Sequence, residues 1–226
     1  MVMDFYTVSE LAGAEPNKTW VQDLNATGDV FGFADPADWI GKQTVGMVNV
    51  KATAWRQGSI LTLPSLWDVS FAWAANDDGA VVGEYRNWSS GPFRAGSYIL
   101  DSAGAVELAA AIDYPNDLNN QGDVVGVLPG GRSFRVNRAS PNDIEDLGLP
   151  IGHQWAHAQS TNDAGQVAGM SGPDLGTGTV HLFLHDGAIH DLGPVTDVKD
   201  INEHGVIVGR RGVDAGGDAA YLTASI

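Results

Sequence analysis

Cysteine is absent from the 226 residues, and with it go disulfide frameworks, thiolate metal sites and thiol nucleophiles. Basic residues are scarce: 12 Lys and Arg stand against 28 Asp and Glu, a net charge of −16. A surface of that sign repels phosphate backbones and anionic headgroups, so neither a nucleic acid nor a membrane is expected as a partner. No stretch has the roughly 18 uninterrupted apolar residues of a membrane span. The N-terminal "MVMDFYTVSELAGAE" has neither a basic leader nor a continuous apolar segment, and the expected location is therefore cytoplasmic. No G-x-S-x-G, P-loop or dinucleotide-binding glycine motif opens a helix after a strand, so no cofactor is expected.

What is present is a repeat. Asn25 opens "NATGDVFG", Asn76 "NDDGAVVG", Asn119 "NNQGDVVG", Asn162 "NDAGQVAG" and Asn202 "NEHGVIVG". Each copy places Gly three residues after the Asn and a second Gly four residues later. Asn and Gly tolerate the positive φ of tight turns, so each copy predicts a hairpin joining two strands. After a variable segment comes a third β-rich run, as in "TAWRQG", "SYILDSAG", "SFRVNRAS", "HLFLHDG" and "AAYLTAS". A fourth follows in "SILTLPSL", "AVELAA", "DIEDLGL" and "AIHDLG".

The spacing between successive Asn residues is 51, 43, 43 and 40, about the 40 to 45 residues of a four-stranded propeller blade. With 43% apolar residues the chain can bury the core of one ordered domain spanning residues 1–226. The fold expected is all-β: a five-bladed β-propeller of four-stranded blades. The lone N-terminal run "FYTVSELAG" (5–13) is expected to complete the C-terminal blade and close the ring, which removes free sheet edges. An open β-solenoid would need no split ends and would have a shorter period.

The run "HLFLHDGAIHDLG" followed by "DINEHGVIVG" resembles the bacterial HAF repeats, whose pattern is roughly A-F-L-W, then D-L-G, then I-N-x-x-G-x-V-V-G. Five such units cover nearly the whole chain. The resemblance implies a repeat fold and leaves the function open. At the level of fold alone the chain is also similar to small five-bladed lectins.

In a meander of four strands the short N-x-x-G turns fall on one face and the longer connections on the other. "FADPADWIGKQTVGMVN", "EYRNWSSGPFRAG" and "SGPDLGTGTV" belong to that second face, where binding is expected. Five residues before each repeat Asn stand Trp20, Phe71, Tyr114, His157 and Asp197; three before it stand Gln22, Trp73, Asn116, Gln159 and Lys199. These two sets are expected to line the channel mouth, joined by His153 and Trp155 of "GHQWAH". Trp55 and Trp67 divide between core and site.

The heterogeneous ring favours a single composite pocket over five equivalent sugar sites. The expected function is binding of one largely apolar small molecule by Trp20, Gln22, Phe71, Trp73, Tyr114, Asn116, His153, Trp155 and Gln159. His157, Asp197 and Lys199 would act on it in a cofactor-free cyclisation or isomerisation of bacterial metabolism. A lectin without catalytic activity is the alternative. No metal is expected: "DLNNQGD" lacks the twelfth-position carboxylate of a calcium loop, and His181, His185 and His190 would have to converge from two strands and a turn.

Overall fold

The computed structural model describes residues 19–34, 50–56, 59–64, 67–89, 91–109, 112–174, 178–211 and 220–224. Among them there is no helix long and apolar enough to cross a membrane, and the regular structure is entirely β. The first sheet holds β1 (Thr19–Leu24), β2 (Val30–Ala34), β3 (Lys51–Arg56) and β4 (Ser59–Thr62), and the second β5 (Val69–Ala75), β6 (Val81–Asn87), β7 (Arg94–Asp101) and β8 (Gly104–Glu107). The third holds β9 (Tyr114–Leu118), β10 (Asp123–Leu128), β11 (Arg132–Asn137) and β12 (Glu145–Asp146). The fourth holds β13 (Trp155–Thr161), β14 (Val167–Gly172), β15 (His181–His185) and β16 (Ile189–Pro194), and the fifth β17 (Asp197–Ile201), β18 (Ile207–Arg211) and β19 (Ala220–Ala224).

Every sheet is an antiparallel meander in chain order, so each repeat unit is one sheet. Among the described residues four sheets have four strands and the fifth has three; the expected closing strand at 5–13 lies outside them. One expected loop is largely strand: "EYRNWSSGPFRAG" continues the β6–β7 hairpin as far as Asn87 opposite Arg94. The apolar core lies between sheets rather than within one. Phe31 and Ala54 of the first sheet pack on Ala72 and Val81 of the second, and Val82 and Ile99 of the second pack on Val124 and Phe134 of the third. Val125 of the third packs on Ala156 and Phe183 of the fourth, and Leu182 and Leu184 of the fourth pack on Val198 and Ile207 of the fifth. Residues of all five sheets surround one cavity of about 240 Å³. That arrangement is compatible with a β-propeller.

The repeat motif has a physical account residue by residue. Each Asn Oδ1 accepts the backbone N–H four residues on, as Asp29, Ala80, Asp123, Gln166 and Val206 donate at 2.9 to 3.0 Å. Its Nδ2 donates to the backbone carbonyl of the next repeat Asn: Asn25 to Asn76 at 3.3 Å, Asn76 to Asn119 at 3.2 Å, Asn119 to Asn162 at 2.9 Å and Asn162 to Asn202 at 3.0 Å. The carboxamide therefore closes its own turn and ties its sheet to the next. A second row runs beside it. The amide after each Asn donates to the side chain after the next one, from Ala26 to Asp77, Asp77 to Asn120, Asn120 to Asp163 and Asp163 to Glu203. Ala26 carries no acceptor, so this row has no means of running on from the fifth sheet to the first.

The first Gly of each motif, Gly28, Gly79, Gly122, Gly165 or Gly205, has φ between 71° and 83°. The second is required by close approach. A Cβ on Gly32, Gly83, Gly126, Gly169 or Gly209 would sit 1.8 to 2.4 Å from the carbonyl oxygen of Trp20, Phe71, Tyr114, His157 or Asp197. Beside that carbonyl every inner strand has a bulge, between Val21 and Asp23, Ala72 and Ala74, Pro115 and Asp117, Ala158 and Ser160, and Val198 and Asp200. The extra residue in each case is Gln22, Trp73, Asn116, Gln159 or Lys199.

Candidate functional site

At the short-turn end, the cavity shared by the five sheets is lined by Asp23, Asp77, Asp117, Asp163, Asp200 and Glu203. These carboxylates serve the backbone. Asp23 accepts from Leu24 and Ala75, and Asp117 from Leu118 and Thr161, at 2.7 to 2.8 Å, so they take up amides that the bulges release from the ladder. Ser160 Oγ lies 2.8 Å from Asp117 Oδ2 and 2.7 Å from Asp200 Oδ1. A hydroxyl has one proton to donate, so two short contacts to two carboxyls call for a further proton on one of them. Asp117 is suited to hold it. The residue is half-exposed, but its carboxyl is enclosed, and burial, aided by Asp23, pushes its pKa up to about 6 against the hydrogen bonds it accepts.

This raised value has a defined sign. Folding stability contributed by Asp117 is fully present below its unfolded pKa of 3.8 and is lost as pH rises through about 6, a change of at most about 3 kcal/mol at 1.36 kcal/mol per unit. Urea unfolding at pH 5.5 and 7.5 should therefore show the wild type gaining more stability at the lower pH than Asp117→Asn does. Parallel pH dependence in the two proteins would mean that Asp117 is ionised throughout.

The long-loop end is aromatic. Trp20 stacks on Phe33 with centroids 5.2 Å apart, Phe33 meets Phe71 and Trp73 edge-on at 5.1 and 5.5 Å, and Phe71 stacks on Trp73 at 5.5 Å. Three of the expected residues are thus brought into one cluster spanning the first and second sheets. Phe71 is 4% exposed and Phe33 5%, forming the floor, whereas Trp20 at 37% reaches solvent. Half-buried Glu84 joins this cluster. It pairs across the hairpin with Phe71, and the Trp73 indole favours the charged form of its carboxyl. Burial raises the Glu84 pKa, opposed by Arg86 and Trp73 and reinforced by Asp113. Arg86 in turn lies over the Phe71 ring at 5.8 Å. A carboxyl whose charged form is disfavoured beside an aromatic surface holds its proton more readily than a free one.

The remaining expected residues are dispersed. Tyr114 is 60% exposed, and Gln22 and Gln159 stand on their bulges, exposed and half-buried respectively. Asn116 Nδ2 donates to Ala158 O at 2.7 Å, tying the third sheet to the fourth. Trp155 is buried, and its indole N–H donates to Asp174 O at 2.7 Å. Its ring lies 4.8 Å from that of His157, whose pKa is lowered by burial, leaving the imidazole neutral at pH 7. Lys199 Nζ sits 2.6 Å from Asp197 Oδ2 with its side chain 65% exposed, an ion pair on the surface. Trp55 and Trp67 are both core residues; Trp67 stacks on Tyr85 at 4.4 Å.

Sequence reasoning missed Phe33 and Glu84. Each follows the second Gly of its repeat and lies directly opposite Trp20 or Phe71 in the hairpin, a position that the motif's register could have supplied. On the fourth sheet, His190 Nε2 bonds Asp186 Oδ1 at 2.9 Å and His185 is buried. His181 Nδ1 instead lies 2.8 Å from both oxygens of Asp191, beside His153. Burial works to raise the Asp191 pKa, but the Gly193 N–H, His181 and His153 outweigh it and hold the carboxyl below its ordinary value.

No protein-family model matches the chain, and no curated protein matches it either.

Proposed function

We propose that the five sheets close into a five-bladed β-propeller of the HAF-repeat kind, and that its long-loop face binds one largely apolar small molecule. Proton transfer without a cofactor, of the kind a cyclase or isomerase of bacterial metabolism performs, is the chemistry that this aromatic face suits. The observation carrying this reading is the four-ring cluster of Trp20, Phe33, Phe71 and Trp73 with half-buried Glu84 directly opposite Phe71 in the hairpin. An apolar ligand lying against Trp20 and Trp73 would bring its carbon skeleton to that carboxyl. Glu84 would remove a proton from one carbon and return it to another, with aromatic walls excluding water. The closed ring is supported by the cavity that all five inner strands share and by the chain of cores linking successive sheets.

Nile red, a neutral dye that fluoresces in apolar surroundings, tests the site directly. Saturable binding of one dye per chain is expected, with Trp73→Ala weakening it roughly tenfold, the loss of one aromatic contact together with its area. A stoichiometry of five would support the lectin-like arrangement of one site per sheet. Absence of saturable binding would remove the aromatic-cleft reading. For any substrate found to turn over, Glu84→Gln is expected to lower kcat by about 10² while leaving the dissociation constant in place.

A further inference from the structure

We propose that His153, His181 and Asp191 form a binding site for one divalent transition-metal ion of the Zn²⁺ class, on the long-loop end of the fourth sheet and independent of the aromatic cleft. Three separate segments supply the donors: the loop entering β13, the first residue of β15, and β16. One nitrogen of each imidazole and one carboxylate oxygen all lie within 4.8 Å of one another. Tetrahedral coordination with Zn–N and Zn–O bonds of about 2.0 to 2.2 Å requires donors about 3.3 to 3.6 Å apart, so the set reaches that geometry through small side-chain rotations. The two rings stand at 90° with centroids 4.9 Å apart, which lets each direct a nitrogen at a common point without stacking.

The surroundings orient these donors as metal sites require. His153 Nδ1 lies 2.9 Å from the hydroxyl of Ser171, which is fully buried in β14. With the proton on Nδ1 donated to that hydroxyl, the lone pair of Nε2 faces Asp191 Oδ2 at 3.7 Å. Two lone pairs confronting one another at that distance leave a place for a cation. The Gly193 N–H fixes the carboxylate by donating to Asp191 Oδ1 at 2.9 Å. Outer partners of this kind set tautomer and ring orientation in metal centres. Accessibility is graded, with the side chains of His153, His181 and Asp191 7%, 23% and 36% exposed. The carboxylate side is thus open to a water or an exchangeable oxygen ligand in the fourth position. Two imidazoles and one carboxylate select Zn²⁺, Co²⁺, Ni²⁺ or Cu²⁺ over Ca²⁺ and Mg²⁺, which want all-oxygen shells.

Co²⁺ is the probe, titrated into the full chain after treatment with a chelator. One equivalent is expected to produce a visible d–d band that Zn²⁺ abolishes stoichiometrically and that excess Ca²⁺ leaves in place. His181→Ala should lose the band. Asp191→Asn, an exposed change that keeps a hydrogen-bonding side chain at this position, should lose it while the far-ultraviolet circular dichroism is retained. Ser171→Ala, which removes only the orienting hydroxyl, should weaken Zn²⁺ binding by about 10- to 100-fold, the effect of an outer-shell partner. Asp77→Asn, in the acidic cavity at the opposite end, should change nothing. A wild-type chain without the band, a band that persists in Asp191→Asn and His181→Ala, or displacement by Ca²⁺ as effective as by Zn²⁺ would each overturn the site.

Discussion

Gly83→Ala is expected to destabilise the protein by about 3 kcal/mol or more, the upper range for forcing a group into filled space. The added methyl would lie 1.8 Å from Phe71 O and 3.1 Å from Tyr98 Oη, and that carbonyl already accepts the Tyr98 hydroxyl at 3.0 Å. Backbone, not a flexible side chain, occupies the space, so the bulge itself would have to move. Four residues earlier, Gly79→Ala meets only the guanidinium tip of Arg56 at 2.6 Å. Its cost is that of an L-residue at a φ of 78°, roughly 1 to 2 kcal/mol. Urea unfolding of the two variants checks the difference, and equal losses would show that the second Gly serves turn flexibility like the first. Because the blocking carbonyl belongs to Phe71, the same variant should also disturb the aromatic cluster and its dye binding.

Asn119→Ala is the second large effect, expected to remove about 2 to 4 kcal/mol. The side chain is 4% exposed. It gives up its donation to Asn162 O at 2.9 Å and strands the Asp123 and Gln121 amides that its Oδ1 accepts at 2.9 and 3.0 Å. The two amides and the carbonyl left without their partner carry most of the penalty. Asn202→Ala offers the comparison. Asn202 is solvent-exposed, and among the described residues it accepts from His204 and Val206 but donates to no further sheet. It should lose less than half as much. Equal losses at the two positions would mean that the Asn acts only within its own turn.

Much of this architecture was legible because its causes are local. Positive φ at Gly28 and its counterparts, and the carboxamide folding back on the turn, depend on residues within four positions of one another, so five copies of one motif announced five hairpins. The third and fourth strands followed from short apolar runs ended by Gly or Ser, and β7, β11, β15 and β16 lie where those runs are. Trp20, Phe71 and Trp73 were identifiable as a group because the repeat register aligns equivalent positions across sheets.

Other features depend on contacts that no local pattern encodes. Strict alternation would direct Gln22, Trp73, Asn116, Gln159 and Lys199 by parity alone, yet each stands on a bulge, where one extra residue shifts the register. The amide beyond the bulge is taken up by a carboxylate of the same strand, as with Asp23 for Leu24 and Asp117 for Leu118, or by one of the neighbouring sheet, as with Asp23 for Ala75 and Asp117 for Thr161. Burial is likewise collective. Nothing in the residue types alone distinguishes half-buried Glu84 from exposed Glu203, and it is packing that encloses Glu84 and disfavours its charged form. His181, His185 and His190 looked like a set because they are close in sequence, but folding separates them and joins His181 to His153 and Asp191 instead. The sequence by itself determined the turns, the strands and the repetition, since those follow from backbone preference and hydrophobic period. Which polar side chains meet was decided by the tertiary structure, because strand pairing and sheet packing place residues distant along the chain within bonding reach.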